Sequence, residues 1–171
     1  ITAVQVRRDL MLIGFSSDTK KGYDVKVLID FITDILYSEQ PMNMAIIGMG
    51  HLGQAVTKYF NGKGLKLRIT AAFDIHPDKV GKVIDNIPCY HIDEFEERVD
   101  ELNISIVIVS SPTSVASTLV LPIINAGIKG VLNFTSAPLN FPPGIVVENY
   151  DITTLLEKVA YFVKVAEESS N

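Results

Sequence analysis

An α/β fold built on a doubly wound parallel sheet is predicted by three observations. From Asn43 onward, short β-branched runs alternate with segments of helical periodicity. Such alternation implies parallel strands joined by right-handed crossovers. The run Gly48-Met49-Gly50-His51-Leu52-Gly53 stands directly behind an apolar stretch, Met44 to Ile47, and opens a helical one. Finally, an acid, Asp74, closes the next apolar run. A Gly-x-Gly-x-x-Gly turn between strand and helix, with an acid about 20 residues on, marks a Rossmann-type dinucleotide site.

The elements follow in order. Thr2 to Leu12 reads as a helix, Gly14 to Gly22 as a polar turn and Val25 to Leu36 as a second helix with Val25, Leu28, Ile29, Ile32 and Leu36 on one side. Pro41 marks a linker. Asn43 to Ile47 is a buried strand, Leu52 to Phe60 a helix, Lys66 to Phe73 a strand and Pro88 to His91 a short one. Asp93 to Leu102 is a helix, with Asp93 as N-cap and Glu96 completing a capping box. Ile104 to Val109 is a central strand, and Ser114 to Ala126 a helix ended by Gly127. Gly130 to Phe134 and Ile145 to Val147 are the last strands, and Asp151 caps a final helix reaching about Ala166. Residues 1–40, 41–150 and 151–171 are therefore expected to be an N-terminal helical unit, the sheet domain and a terminal helix.

Composition narrows the class. The chain has 171 residues, 47% hydrophobic and 20% charged, which fits a globular protein and not a disordered one. A net charge of −5 argues against coating nucleic acid by bulk charge, though a local basic patch is compatible with it. The single cysteine, Cys89, rules out an intramolecular disulfide and a cysteine-clustered zinc site. In its apolar setting Cys89 reads as a small buried hydrophobe, and no metal site is expected. No apolar stretch reaches about 18 residues and no signal peptide is visible, so a cytoplasmic address is expected. The opening on Ile1 suggests N-terminal truncation or processing.

The glycine loop assigns roles. Gly48 allows the tight turn, Gly50 lets backbone approach a diphosphate, and Gly53 lets helix and strand pack closely. Met49, His51 and Leu52 complete the loop, whose helix N-terminus offers N–H groups to phosphate. Asp74 is placed to accept the adenosine ribose hydroxyls. Ile75 follows it where an arginine would favour a 2′-phosphate, so NAD(H) is expected over NADP(H). Two further loops fall at carboxyl ends of strands: Ser110-Ser111-Pro112-Thr113 and Asn133-Phe134-Thr135-Ser136-Ala137-Pro138. Both are small and uncharged, and either walls a nicotinamide or is an ordinary turn. His51 either contacts phosphate or is solvated, and His76 and His91 read as surface residues. Neither loop holds a Lys, Tyr or His in a catalytic pairing, and only one helix follows residue 150, so no catalytic residue is expected. An NAD-dependent oxidoreductase and a CoA-binding Rossmann module stay open as alternatives.

The chain resembles the Rex redox-sensing transcriptional repressors. The resemblance rests on Thr2-Ala3-Val4-Gln5-Val6-Arg7-Arg8-Asp9-Leu10, Gly22-Tyr23-Asp24-Val25, the glycine loop, Ala72-Phe73-Asp74, Asp78-Lys79-Val80-Gly81, the run from Ala126 to Phe134, and Val147-Glu148-Asn149-Tyr150-Asp151. It implies a homodimer in which a winged-helix DNA-binding domain, here only its C-terminal part in residues 1–40, precedes an NADH/NAD+-binding Rossmann domain. The final helix would be exchanged between subunits. Such a repressor leaves its operator DNA when NADH rises. Thr2 to Leu12 would be the recognition helix, with Gln5, Arg7 and Arg8 at the major groove, and Lys20 and Lys21 would lie in the wing. Tyr59 and Asp151 would couple the cofactor to the dimer interface, and Ile152 would cover the nicotinamide of the partner subunit.

Overall fold

The computed structural model describes residues 2–16, 22–36, 41–60 and 66–168. The chain divides into two compact units, Ile1–Pro41 and Met42–Asn171.

In the first unit, α1 (Ala3–Leu12) is opened by Thr2 in a capping box. The Thr2 hydroxyl accepts from the Gln5 amide at 3.3 Å, and Gln5 Oε1 accepts from the Thr2 amide at 2.9 Å. The carboxylate of Asp24 does the same for α2 (Val25–Leu36), accepting from the amides of Lys26 and Val27. Leu10 and Phe15 are buried, and Phe15 packs its ring against Tyr23 and Phe31 at 5.7 and 4.9 Å. Val25, Val27, Ile29 and Ile35 of α2 remain exposed.

The second unit is a seven-stranded sheet in the order β3-β4-β2-β1-β5-β6-β7. Its strands are β1 (Met42–Ile47), β2 (Leu67–Asp74), β3 (Val83–Ile84), β4 (Ile87–His91), β5 (Ile104–Val109), β6 (Gly130–Asn133) and β7 (Val146–Asn149). All pairings are parallel except β3 with β4. Without β3, the order is that of a dinucleotide-binding fold, in which the chain winds outward in both directions from β1. Central strands must then be apolar on both faces. Accordingly Ala45, Ile46, Val107, Ile108 and Val109 are all buried. On one face Phe73, Phe95, Val99, Ile123 and Ile128 form the core, and on the other Ile46, Met49, Ala72, Cys89 and Ile108 do. The Cys89 thiol is buried, as its apolar neighbours suggested, and burial raises its pKa.

The connecting helices are α3 (His51–Phe60), α4 (Phe95–Glu101), α5 (Thr113–Ala116), α6 (Val120–Asn125) and α7 (Ile152–Glu168). Three details correct the sequence reading. The continuous helix expected over 114–126 is split by a 3-10 turn at Ser117–Leu119. Pro122 has no amide to donate to Thr118, so the ladder cannot run through. The cap expected at Asp93 lies at His91, whose Nδ1 accepts from the Asp93 amide while Glu94 reaches back to the His91 amide, both at 3.3 Å. Lastly, β3 was not foreseen; it forms a hairpin with β4 through Asp85 and Asn86, both at positive φ (51° and 66°), as a type I′ turn demands.

The terminal helix α7 has no buried residue. Both oxygens of Asp151 serve its first turn, accepting from the Thr153 amide at 3.1 Å and the Thr154 hydroxyl at 2.8 Å. Among the described residues no helix is long and apolar enough to cross a membrane, and no group of His, Cys, Asp and Glu could hold a metal ion.

Candidate site at the switch point

In such sheets ligands bind beyond the carboxyl ends of the strands, where the winding direction reverses. Here that point lies between β1 and β5, with the Gly48–Gly53 loop on one side and the Ser110–Thr113 loop on the other. The two loops touch. Gly48 has φ +99°, and a Cβ there would come within 2.8–2.9 Å of the Ser110 and Ser111 backbone. At Gly53 a Cβ would collide with the Gly48 carbonyl oxygen. These two glycines are thus required by packing. Gly50 is different: a Cβ there would meet nothing within 4 Å. Its backbone faces open space, which is what a diphosphate approaching the loop needs. The first helical hydrogen bond runs from the Gln54 amide to the Gly50 carbonyl, 3.0 Å. The amides of Gly50, His51, Leu52 and Gly53 therefore lie ahead of the helix's own ladder. His51 and Leu52 are exposed at this end, while the Met49 side chain is fully buried in the core.

Asp74, at the tip of β2, is heavily engaged. Its Oδ1 accepts from the amides of Ile75 and His76, each at 2.9 Å. Its Oδ2 accepts from the Met49 amide at 2.8 Å and from Lys79 Nζ at 2.9 Å. Burial taken alone would raise the pKa of this carboxyl. The bonds from Lys79, His76 and Met49 outweigh that and hold it below the ordinary carboxylate range. Asp74 therefore ties the glycine loop to the end of β2, and Met49 gives its amide to Asp74 and not to the crevice. Ile75 is exposed.

The neighbouring loops are tied in the same manner. Ser110 Oγ donates to the Gly48 carbonyl at 2.8 Å. Asn133 is buried, and all of its side chain is used: Nδ2 donates to the Ala137 carbonyl and to Asn149 Oδ1, and Oδ1 accepts from the Thr135 amide and hydroxyl. Thr113 and Ser136 join the two loops through their hydroxyls at 3.1 Å. Pro112 stands exposed at the start of α5, and Phe134 packs its ring against Tyr150 at 5.8 Å. Ser111 Oγ is buried with no hydrogen-bond partner. An open glycine backbone at a helix N-terminus suits a polar ligand with phosphate groups. The residues present fit a dinucleotide.

The comparisons with known proteins agree with this geometry. Residues 39–137 match the CoA binding domain family, to which the sheet domain belongs. Over 164 residues the chain is 37% identical to the redox-sensing transcriptional repressor Rex of Listeria welshimeri, covering 96% of this chain and 76% of that one. It is 34% identical over 163 residues to Rex 1 of Enterococcus faecalis, covering 95% and 76%. The chain belongs to the Rex family of redox-sensing transcriptional repressors. Among solved structures it is similar to RSP, a Rex-family repressor, in complex with β-NADH, with a TM-score of 0.84 and 29% identity over 99% of this chain and 79% of that one. RSP in complex with β-NAD+ and operator DNA gives a TM-score of 0.90 at 29% identity, over 99% and 78%.

The remaining residues that the Rex resemblance singled out fall as follows. Arg7 and Arg8 are exposed on α1, whereas Gln5 spends its side-chain oxygen on the cap of that helix. Lys20 and Lys21 lie outside the described residues. Tyr59 is exposed on α3 with its ring 5.5 Å from that of Phe60. Ile152 is exposed on the first turn of α7.

Proposed function

We propose that this chain represses transcription in response to the NADH/NAD+ ratio, as a homodimer in the cytoplasm that leaves operator DNA when NADH rises. Family membership supports the reading, and the observation that carries it is the open Gly50 backbone beside Asp74 at the sheet's switch point. The amides from Gly50 to Gly53 would hold the diphosphate. Asp74, with the Ile75 backbone beside it, would take the adenosine ribose. Ser110, Ser111 and Pro112 on one side and Asn133, Phe134 and Thr135 on the other would bound the nicotinamide. The nicotinamide supplies only a charge, positive when oxidised and neutral when reduced. Phe134, Ala137 and an Ile152 from a second copy would strip water from it, and burying an unpaired charge is costly. Such a pocket favours the reduced form with no acid or base, which is why no catalytic role is assigned.

The apolar residues Leu155, Val159, Phe162 and Val163 of α7, all exposed, are the surface through which a second copy would dock. Arg7 and Arg8, with the Gln5 amide, would read the major groove, where bidentate arginine contacts to guanine are the usual specific ones. Lys20 and Lys21 would contact the flanking backbone. Moving such a dimer from about 1% to 99% released takes roughly 5.5 kcal/mol of differential affinity. Asp151 and Tyr59 would transmit part of it by re-pairing as the subunits rotate.

The experiment is a fluorescence titration with NADH, with NAD+ and CoA as competitors. Tight NADH binding, displaced weakly by NAD+ and hardly by CoA, supports the reading. CoA binding without NADH binding would assign the crevice to the chemistry named by the CoA binding domain family, and no nucleotide binding at all would end the proposal.

A further inference from the structure

The chain leaves the sheet for α7 through Asn149, Tyr150 and Asp151, and each of them is tied. Asn149 Oδ1 accepts from Asn133 Nδ2 at 2.9 Å, and the Tyr150 amide donates to the Asn133 carbonyl at 2.8 Å. The Tyr150 ring stands 5.8 Å from that of Phe134, inclined by 31°. Asp151 then holds the first turn of α7 through the Thr153 amide and the Thr154 hydroxyl. No residue of α7 is buried. The joint, and not burial against its own sheet, therefore sets the direction in which the helix departs.

The Asn133 amide has one allowed orientation. The Thr135 amide can only donate and the Ala137 carbonyl can only accept, so Oδ1 must face the first and Nδ2 the second. The other Nδ2 hydrogen then needs an acceptor, and Asn149 must present its oxygen. Asn133 is 1% exposed, so a hydrogen left over there has no solvent to turn to. Asn149 is exposed and has no such need of its own. A buried amide thus holds an exposed one in place. The same Asn133 amide orders Thr135 and Ala137, in the loop assigned to the nicotinamide. A shift of residues 133–135 that keeps these bonds carries residues 149 and 150 with it, and Asp151 passes the shift to the helix it caps.

Resting on the dinucleotide reading above, we infer that Asn149 is a positioning residue of the sensor, joining the loop after β6 to the first turn of α7 so that nucleotide in the crevice orders the helix of the same chain. Asn149 has no place among the residues that bound the nicotinamide. The route runs within one chain and is separate from the contact of Ile152 across the dimer.

The test is hydrogen exchange of the full chain with and without saturating NADH. It is run in the wild-type background and in Ile152→Ala, which removes the contact across the dimer. Asn149→Ala and Asn149→Asp are added to each; alanine removes the acceptor and aspartate keeps one. With Asn149 intact, NADH is expected to slow exchange over residues 152–158 by about tenfold, an ordinary size for coupling between sites, together with residues 134–137. Asn149→Ala should keep the slowing at 134–137. At 152–158 it should lose the slowing in the Ile152→Ala background and reduce it in the wild-type one. Asn149→Asp should restore it. An asparagine that merely stabilised the fold would raise exchange equally with and without NADH. An undiminished NADH effect at 152–158 in both Asn149→Ala chains therefore overturns the inference. So does an effect at 134–137 that never reaches 152–158 while Asn149 is intact, and so does loss of the effect at both segments in Asn149→Ala. In each of these cases NADH binding by the wild-type chain leaves the dinucleotide reading standing, and its failure to bind NADH removes both.

Discussion

Replacing Asp74 by asparagine isolates what this carboxylate contributes to the stability of the loops it joins. The side chain is only 9% exposed, so its hydrogen bonds are little diluted by water. In the Asp74→Asn variant one of the two oxygens becomes an NH2 group. Placed at Oδ2, it opposes the Met49 amide and the Lys79 ammonium; placed at Oδ1, it opposes the amides of Ile75 and His76. Either rotamer sets donors against donors. A buried donor left without its acceptor costs about 1–3 kcal/mol. Exposed Ile75 and His76 can turn to water, which makes the second rotamer the cheaper. With the charge assistance to the surviving bonds also lost, the total is about 2 kcal/mol. For a chain of this size that lowers the melting midpoint by roughly 4–8 °C. The pH dependence has a definite sign. The native carboxyl is held below its ordinary pKa, so its stabilisation is complete above about pH 4. It is lost as pH falls through the lower, native pKa. Thermal unfolding from pH 7 down to pH 2 should show the gap between wild type and variant constant at first and then closing. Equal midpoints at pH 7, or a gap that persists undiminished at the acid end, would refute the saturated-carboxylate account.

Gly53→Ala places a methyl group against the Gly48 carbonyl oxygen, an overpacking that costs about 1–3 kcal/mol and pushes the loop off its strand. Denaturant unfolding and NADH titration should both report it, and normal affinity would mean the close approach is dispensable. Asn133→Ala removes four hydrogen bonds from a buried site and should destabilise by roughly 2–4 kcal/mol, with amide exchange accelerating in residues 134–139. Val159→Glu with Phe162→Glu on α7 should convert a dimer to monomers in sedimentation without shifting the unfolding midpoint of the monomer. A wild-type chain that sediments as a monomer at tens of micromolar, a scale typical of association work, would refute docking through α7.

The doubly wound parallel sheet and the position of the crevice were legible because period and motif are local signals. β1 and β5 announce themselves by β-branched runs, and the glycine loop by its spacing. What escaped depends on contacts between positions that carry no periodicity. β3 is two residues long, and Asp85-Asn86 is a weaker turn signal than Asn-Gly. The His91 cap escaped because histidine is an uncommon cap acceptor, and Asp93 offered a conventional one two residues later. At Pro122 the helical period of the surrounding apolar residues runs straight through the proline, so the period alone hides the break.

The site residues make a subtler case. Asp74, Ser110 and Asn133 fall on the sheet where ligand contacts are expected, and each also holds one loop to another. Ser110 clasps the Gly48 carbonyl, Asp74 the Met49 amide, and Asn133 both Thr135 and Asn149. The Phe134 amide reaches the Val109 carbonyl and the Tyr150 amide the Asn133 carbonyl, so strand ends are stitched from β2 across to the residue before Asp151. Ligand contact and loop bracing draw on the same chemistry, small polar side chains at carboxyl ends of strands, and a motif cannot say which is meant. In a sensor the two are not alternatives. A protein that must report occupancy needs the atoms meeting the ligand to be those that hold the loops in register, since a ligand with no differential contact between two arrangements shifts neither.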